Sequence, residues 1–170
     1  MARFVEENTE LPSTLRDLIA FYRAPEGRER LEHWERLAAE AASLQFVGMG
    51  TSEFTSEALA WRLTARGRLS RSCDAGELFY EEDFHAPSGG LFVLTSQSGE
   101  SVEIRNLAGL ERVGRHVAVT NDEASSLAKW NVSSSERVVK TSARVGASAL
   151  LTAIPITPPP APSRPAGDSG

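Results

Sequence analysis

The sequence predicts an α/β fold, a three-layer sandwich of helices around a parallel sheet, and two observations carry that expectation. From Leu44 onward, short apolar runs alternate with stretches of helical length, the pattern of strand-helix units whose crossovers make neighbouring strands parallel. Two of the runs, Leu44-Gln45-Phe46-Val47 and Leu91-Phe92-Val93-Leu94, are apolar almost without interruption, as strands covered on both faces must be.

Ahead of the alternation, Leu11 to Tyr22 and Arg28 to Ala42 place Leu15, Leu18, Ile19 and Tyr22, then Leu31, Trp34, Leu37 and Ala38, at helical spacing. Pro25 and Gly27 punctuate the gap between these two helices. The periodicity then predicts a strand over 44–48, a helix over 52–66, strands over 76–80 and 91–95, a helix over 100–112, a strand over 116–120, a helix over 123–130 and a strand over 137–141. Gly67 and Gly114 are suited to end the helices before them. Ala143 to Ile154 reads as a last apolar helix, and Pro155 to Gly170, with six of the nine prolines, reads as a disordered tail.

Composition narrows the class. A chain of 170 residues, 41% hydrophobic and 24% charged, has the make-up of one globular domain with a sizeable core. The net charge of -5 argues against nucleic acid as a partner, which calls for a basic stripe. Cys73 is the only cysteine, so no internal disulfide or thiolate cluster can form, and a reducing cytoplasm is the expected compartment. No apolar run approaches a membrane span or a leader h-region, so no membrane partner is expected.

The two buried runs lead into Gly48-Met49-Gly50-Thr51-Ser52 and Ser96-Gln97-Ser98-Gly99-Glu100-Ser101. Both loops then sit at the carboxyl edge of a parallel sheet and open helices, where unpaired N–H groups favour an anion. Thr51, Ser52 and Ser98 could equally be ordinary N-caps. Capping, however, needs one hydroxyl per helix, whereas the second loop supplies Ser96, Ser98, Ser101 and the Gln97 amide.

In order and spacing, Phe46 to Ser52, Leu94 to Ser101, and Val117 to Asn121 followed by Ser125-Ser126-Leu127-Ala128 resemble the sugar isomerase (SIS) domain. The similarity is to the first SIS repeat of glutamine:fructose-6-phosphate aminotransferase and of related aldose-ketose isomerases and amino-sugar phosphate deaminases. It covers roughly residues 7 to 153, and Ser-Gln-Ser-Gly-Glu-Ser is its most specific element. The resemblance implies a five-stranded parallel sheet in flavodoxin-like order, preceded by N-terminal helices. It divides the chain into a helical segment 1–43, a SIS domain 44–154 and the Pro-rich tail 155–170. It places phosphate contacts on Ser52, Ser96, Gln97, Ser98 and Ser101, with Thr51 and the Gly50 backbone lining the sugar, and Glu100 holding the loop or reaching a sugar hydroxyl. A sugar phosphate is the implied ligand, with no cofactor and no metal.

Isomerisation needs a general base for the C1–C2 proton and an acid for ring opening, and in the family these lie mainly in a second repeat or a neighbouring subunit. The catalytic residues therefore stay unassigned, and a truncated or frame-shifted product is expected. Arg144 to Leu150 departs from the family pattern, which has a Glu and then Ser-Thr-Lys there. His33 is read as solvated, His116 as structural, and His85, near Glu81, Glu82 and Asp83, as the best-placed candidate acid-base group, in what is otherwise an acidic turn without metal-ligand spacing. Asn121 and Asp122 are left as a turn. Trp34, Trp61 and Trp130 are read as helix-to-sheet or subunit packing. Two readings compete with a sugar-phosphate enzyme: a non-catalytic sugar-phosphate sensor, and a flavodoxin-like mononucleotide binder, whose phosphate loop would follow the first strand instead of the third. A homodimer or higher oligomer is expected, with Leu18, Tyr22, Trp34 and Leu37 as suitable surface.

Overall fold

The structure, a computed structural model, describes residues 2–84, 87–110, 113, 115–122, 124–129 and 139–140. The elements are α1 (Ala2–Arg23), α2 (Pro25–Glu40), β1 (Ser43–Gly48), α3 (Thr51–Thr64), β2 (Ser70–Asp74), α4 (Ala75–Tyr80), β3 (Gly90–Thr95), α5 (Val102–Ala108), β4 (His116–Thr120), α6 (Ser126–Lys129) and β5 (Val139–Lys140). The strands pair in parallel in the order β2-β1-β3-β4-β5, so the chain reverses its winding between β1 and β3. Four strands form the body of the sheet. Of the run 137–141, only the two residues of β5 are described, pairing Val119 with Val139 and Thr120 with Lys140.

β1, β3 and β4 are buried along their whole length, which is why their sequences are nearly continuous apolar runs. Alternate side chains divide between two cores. Leu44, Phe46, Leu91 and Val93 pack with Leu18, Tyr22, Trp34 and Leu37 of α1 and α2 and with Leu59, Ala60 and Leu63 of α3. Val47, Phe92 and Leu94 pack on the opposite face with Leu78, Ile104, Leu107 and Leu127 of α4, α5 and α6. Each fully buried large side chain contributes about 1.5–3 kcal/mol.

Three expectations need correction. The segment 76–80 is α4, not a strand: the Asp74 carboxylate accepts from the N–H groups of Gly76 (2.8 Å) and Glu77 (3.1 Å), which caps a helix that buries Ala75 and Leu78. The strand lies just before it, in Ser-Arg-Ser-Cys-Asp, a polar sequence because β2 is an edge strand and only partly buried. Its register is marked by Arg71, which bonds the side chain of its β1 neighbour Gln45 and stacks 5.6 Å from the Phe84 ring.

α1 also begins earlier than expected, running through Pro12 to Ala2; proline's fixed φ is helical, so the helix loses one hydrogen bond there but can continue. Finally, Leu18, Tyr22, Trp34 and Leu37 are 3%, 8%, 3% and 3% exposed. They belong to the chain's own core and offer no surface to a second copy. The Arg68 guanidinium reinforces this packing by donating to the carbonyls of Ala38 and Ala41 at the end of α2. The expected helix 143–154 and the tail lie outside the described residues. No described helix is long and apolar enough to cross a membrane.

Candidate functional site

Adjacent strands β1 and β3 end at the same level, with Val47 beside Leu94, so the two serine loops leave the sheet side by side, roughly one strand spacing of 4.8 Å apart. The following helices depart to opposite faces, α3 into one core and α5 into the other. A crevice at the carboxyl edge results, at the point where the strand order reverses and open α/β sheets hold ligands.

The first loop turns tightly. Gly50 has φ +53 and is itself the N-cap of α3, with no side-chain cap. A Cβ on Gly48 would stand 2.7 Å from the Glu53 nitrogen, so only glycine lets the helix start this close to the strand end. The N–H groups of Ser52, Glu53 and Phe54 are already turned onto the carbonyls of Met49 and Gly50 at 3.0–3.2 Å. An anion at this helix start would therefore meet side-chain hydroxyls first. Thr51 is exposed and Ser52 half-buried, and among the described residues neither hydroxyl is engaged by another group.

The second loop is tied from within. Ser96 is 3% exposed; its Oγ accepts from the Gly99 N–H at 3.1 Å and lies 2.9 Å from Ser101 Oγ. Ser98 Oγ accepts from the Glu100 N–H at 3.2 Å. A hydroxyl that accepts within the loop keeps its own proton to donate outward. Ser98 thus presents one O–H, the Ser96–Ser101 pair presents another, and the Gln97 side chain is exposed. Ser101 is the N-cap of α5 yet makes no cap bond. Capping therefore accounts for none of Thr51, Ser52 and Ser101.

A third loop, absent from the sequence-based list, holds the second in place. Gly99 has φ +68, and a Cβ there would come 2.2 Å from Ser125 Oγ and 2.8 Å from Thr120 Oγ1. The Gly99 carbonyl accepts from Leu127 N–H at 3.1 Å, and the Gln97 carbonyl accepts from Asn121 N–H at 3.1 Å. Glu100 accepts from Ser126 N–H at 2.6 Å and from Arg105 at 3.3 Å. The Ser126 bonds, with Arg105 and Lys129 nearby, hold the Glu100 carboxyl below the usual carboxylate range. Glu100 is thus a strut between loops. The signal in the sequence was Thr120 and Ser125-Ser126, small hydroxyl residues at a strand end like those of the first two loops.

Thr95, 1% exposed at the end of β3, has a buried hydroxyl with no partner among the described residues. Strand alternation sets it on the face of Val93, toward α3. The Cys73 thiol is pushed up by burial. Glu53, in the first turn of α3, is raised by burial and then by Asp74, Glu77 and Glu57. His116 is buried at the opposite, amino end of β4, His33 lies on α2, and His85 is outside the described residues. A surface depression of about 670 Å³ lined by Arg16, Ile19, Ala20, Arg23 and Ala24 contains none of the loop residues.

Neither any protein-family model nor any curated protein matches the sequence. Solved structures do. Tagatose-6-phosphate ketose/aldose isomerase from Escherichia coli is similar with a TM-score of 0.66 and 22% identity over 82% of this chain and 40% of that one. The C-terminal domain of glucosamine-fructose-6-phosphate aminotransferase from Francisella tularensis gives 0.67 and 22% over 84% and 40%. The Vibrio vulnificus NanR protein complexed with ManNAc-6P gives 0.64 and 21% over 86% and 56%. The chain spans about 40% of the length of the first two. Strand order, the placement of the serine loops and these likenesses together identify the chain as having the SIS-domain fold.

Proposed function

We propose that this chain binds a sugar phosphate in the crevice between the β1 and β3 loops. The observation that carries the reading is the surplus of hydroxyls that capping does not use: Thr51 and Ser52 on one side, Ser96, Ser98 and Ser101 on the other. In this reading Ser52, Ser96, Gln97, Ser98 and Ser101 hold the phosphate, Thr51 and the Gly50 backbone line the sugar, and Glu100 keeps the second loop on α6. A hydrogen bond to a charged phosphate is worth about 1.5–3 kcal/mol, so several together support useful affinity without a cationic side chain. The ManNAc-6P held by the NanR structure is a ligand of the same class. The chain is organised as a helical segment 1–43 leading into the sheet domain.

Binding without turnover is the narrower reading for the chain alone. Its described histidines lie away from the crevice, and Glu100 is occupied as a strut. Differential scanning fluorimetry with fructose 6-phosphate, glucosamine 6-phosphate, inorganic phosphate and unphosphorylated fructose tests both parts. At a hundred times Kd a ligand adds about 2.7 kcal/mol, a rise in Tm of roughly 5–10 °C for a chain this size. The expected result is such a rise with a hexose phosphate and none with fructose. A folded protein indifferent to every hexose phosphate would remove the binding proposal, and turnover of one would remove the narrower reading.

A further inference from the structure

Thr95 closes β3 at the point where the two serine loops part. Val47 pairs with Leu94, so the next step of the register sets Thr95 beside Gly48. Both face the α3 side of the sheet, since Phe46 and Val93 belong to the core on that side. There the first turn of α3 comes down on the strand end, and a Cβ on Gly48 would stand 2.8 Å from the Ser52 carbonyl carbon and 3.0 Å from Ser52 Cβ. Thr95 therefore occupies the floor between the loops, next to Ser52. At 1% exposure, its Oγ1 has no hydrogen-bond partner among the described residues, although burial has taken from it the bonds it would make in water. The carbonyls of the turn beside it are engaged: those of Met49 and Gly50 by backbone N–H groups, and that of Ser52 by Ser56 Oγ at 2.8 Å. The hydroxyl of Ser52, which is half-buried, is engaged by no other described group.

We propose that Thr95 is a positioning residue for the anion: when a phosphate arrives, the Thr95 O–H donates to Ser52 Oγ and so turns the Ser52 proton onto the ligand. The assignment rests on Ser52 being a phosphate contact, the reading proposed for the crevice. A hydroxyl can accept and donate at once, and the motion asked of Ser52 is a turn between staggered χ1 wells. The second loop already has this form in the free chain, where Ser96 and Ser98 accept from the N–H groups of Gly99 and Glu100 and keep a proton to donate. In the first loop the chain from Thr95 through Ser52 to phosphate forms only with the anion in place. Each bond in such a chain polarises the next. The unpaired Thr95 hydroxyl is a cost carried by the free chain and relieved by the ligand, so it favours the bound form.

Scanning fluorimetry of the full chain, titrated with fructose 6-phosphate and glucosamine 6-phosphate, tests the role. Thr95→Val keeps the shape of the side chain and removes the hydroxyl; its ligand-free Tm is expected to be no lower than that of wild type, while its affinity falls roughly fivefold. Thr95→Ser gives up a buried methyl and keeps the hydroxyl, so its Tm is expected to fall while it binds as wild type does. A purely structural role would not produce these opposite orders of stability and affinity. In Thr95→Val/Ser52→Ala the affinity is expected to match that of Ser52→Ala alone, because Thr95 acts through Ser52. A Thr95→Val protein with a lower ligand-free Tm, a Thr95→Val affinity equal to wild type, or losses that multiply in the double variant would each overturn the assignment. Wild type indifferent to both sugar phosphates would remove the phosphate site and Thr95's role with it, whereas a wild type that binds beside a Thr95→Val that binds equally removes the role of Thr95 alone.

Discussion

The two serine loops sit at the ends of adjacent strands but are built on opposite plans. The Ser96–Ser101 loop is strung in advance: Ser96 bonds Ser101 and Gly99, Ser98 bonds Glu100, and the whole loop is lashed to the third loop through Gly99 and Glu100. The Gly48–Ser52 loop folds onto its own helix through backbone bonds and, among the described residues, leaves the hydroxyls of Thr51 and Ser52 open. A preorganised loop loses little freedom when an anion arrives, whereas an open one contributes donors and meets the ligand half-way. The difference teaches that the same residue types can be tied up in internal bonds in one loop and left open in its neighbour.

Gly99→Ala should break the contrast most sharply, because it strikes the contact that fixes the second loop. The new Cβ would overlap the Ser125 and Thr120 hydroxyls in a left-handed conformation, costing about 2–4 kcal/mol of stability. Chemical denaturation should show that loss, and fluorimetry should show no rise in Tm with any hexose phosphate. A variant of wild-type stability would mean that the third loop does not set the geometry of the second.

Ser96→Ala and Ser52→Ala separate the two plans directly. Removing Ser96 Oγ takes from Ser101 its bonded neighbour and from Gly99 one of its acceptors in a buried setting, so stability should fall by about 1–3 kcal/mol along with affinity. Ser52 has no such duty, and its loss should change stability by no more than about 0.5 kcal/mol while weakening a hexose phosphate roughly tenfold. Equal effects of the two on stability would erase the distinction.

The sheet and its loops were legible in the sequence for one physical reason: β1, β3 and β4 are buried on both faces, and such strands must be apolar runs. β2 was missed because an edge strand half in water needs no apolar run, and Ser70 to Asp74 carries none. The apolar run Leu78-Phe79-Tyr80 suits a strand as well as a helix, yet the Asp74 cap and the i, i+3 pair Ala75 and Leu78 decide for helix. Within the site, the loops could be found by their hydroxyl surplus, but which hydroxyls are tied and which are open depends on Gly50, Gly99 and the third loop. Those are matters of φ and close approach between distant segments. The burial of Trp34 and the exposure of Trp61 were equally beyond reach, since both occupy helices with apolar neighbours at helical spacing.

The smallest effect concerns the strut. Ser126, Arg105 and Lys129 hold the Glu100 carboxyl below its ordinary range, so the folded chain favours the ionised form. The linkage then has one sign: stabilisation by the Glu100 tether is fully present above the unfolded-state value, about pH 4.3, and is lost as pH falls through the lower folded-state value. Glu100→Gln keeps the shape of the side chain and removes the charge. Its Tm should lie slightly below that of wild type at pH 7, and the two curves should converge as pH is lowered past about 4. A gap that stayed constant down to pH 3 would show that the carboxylate charge is not what fastens the second loop to α6.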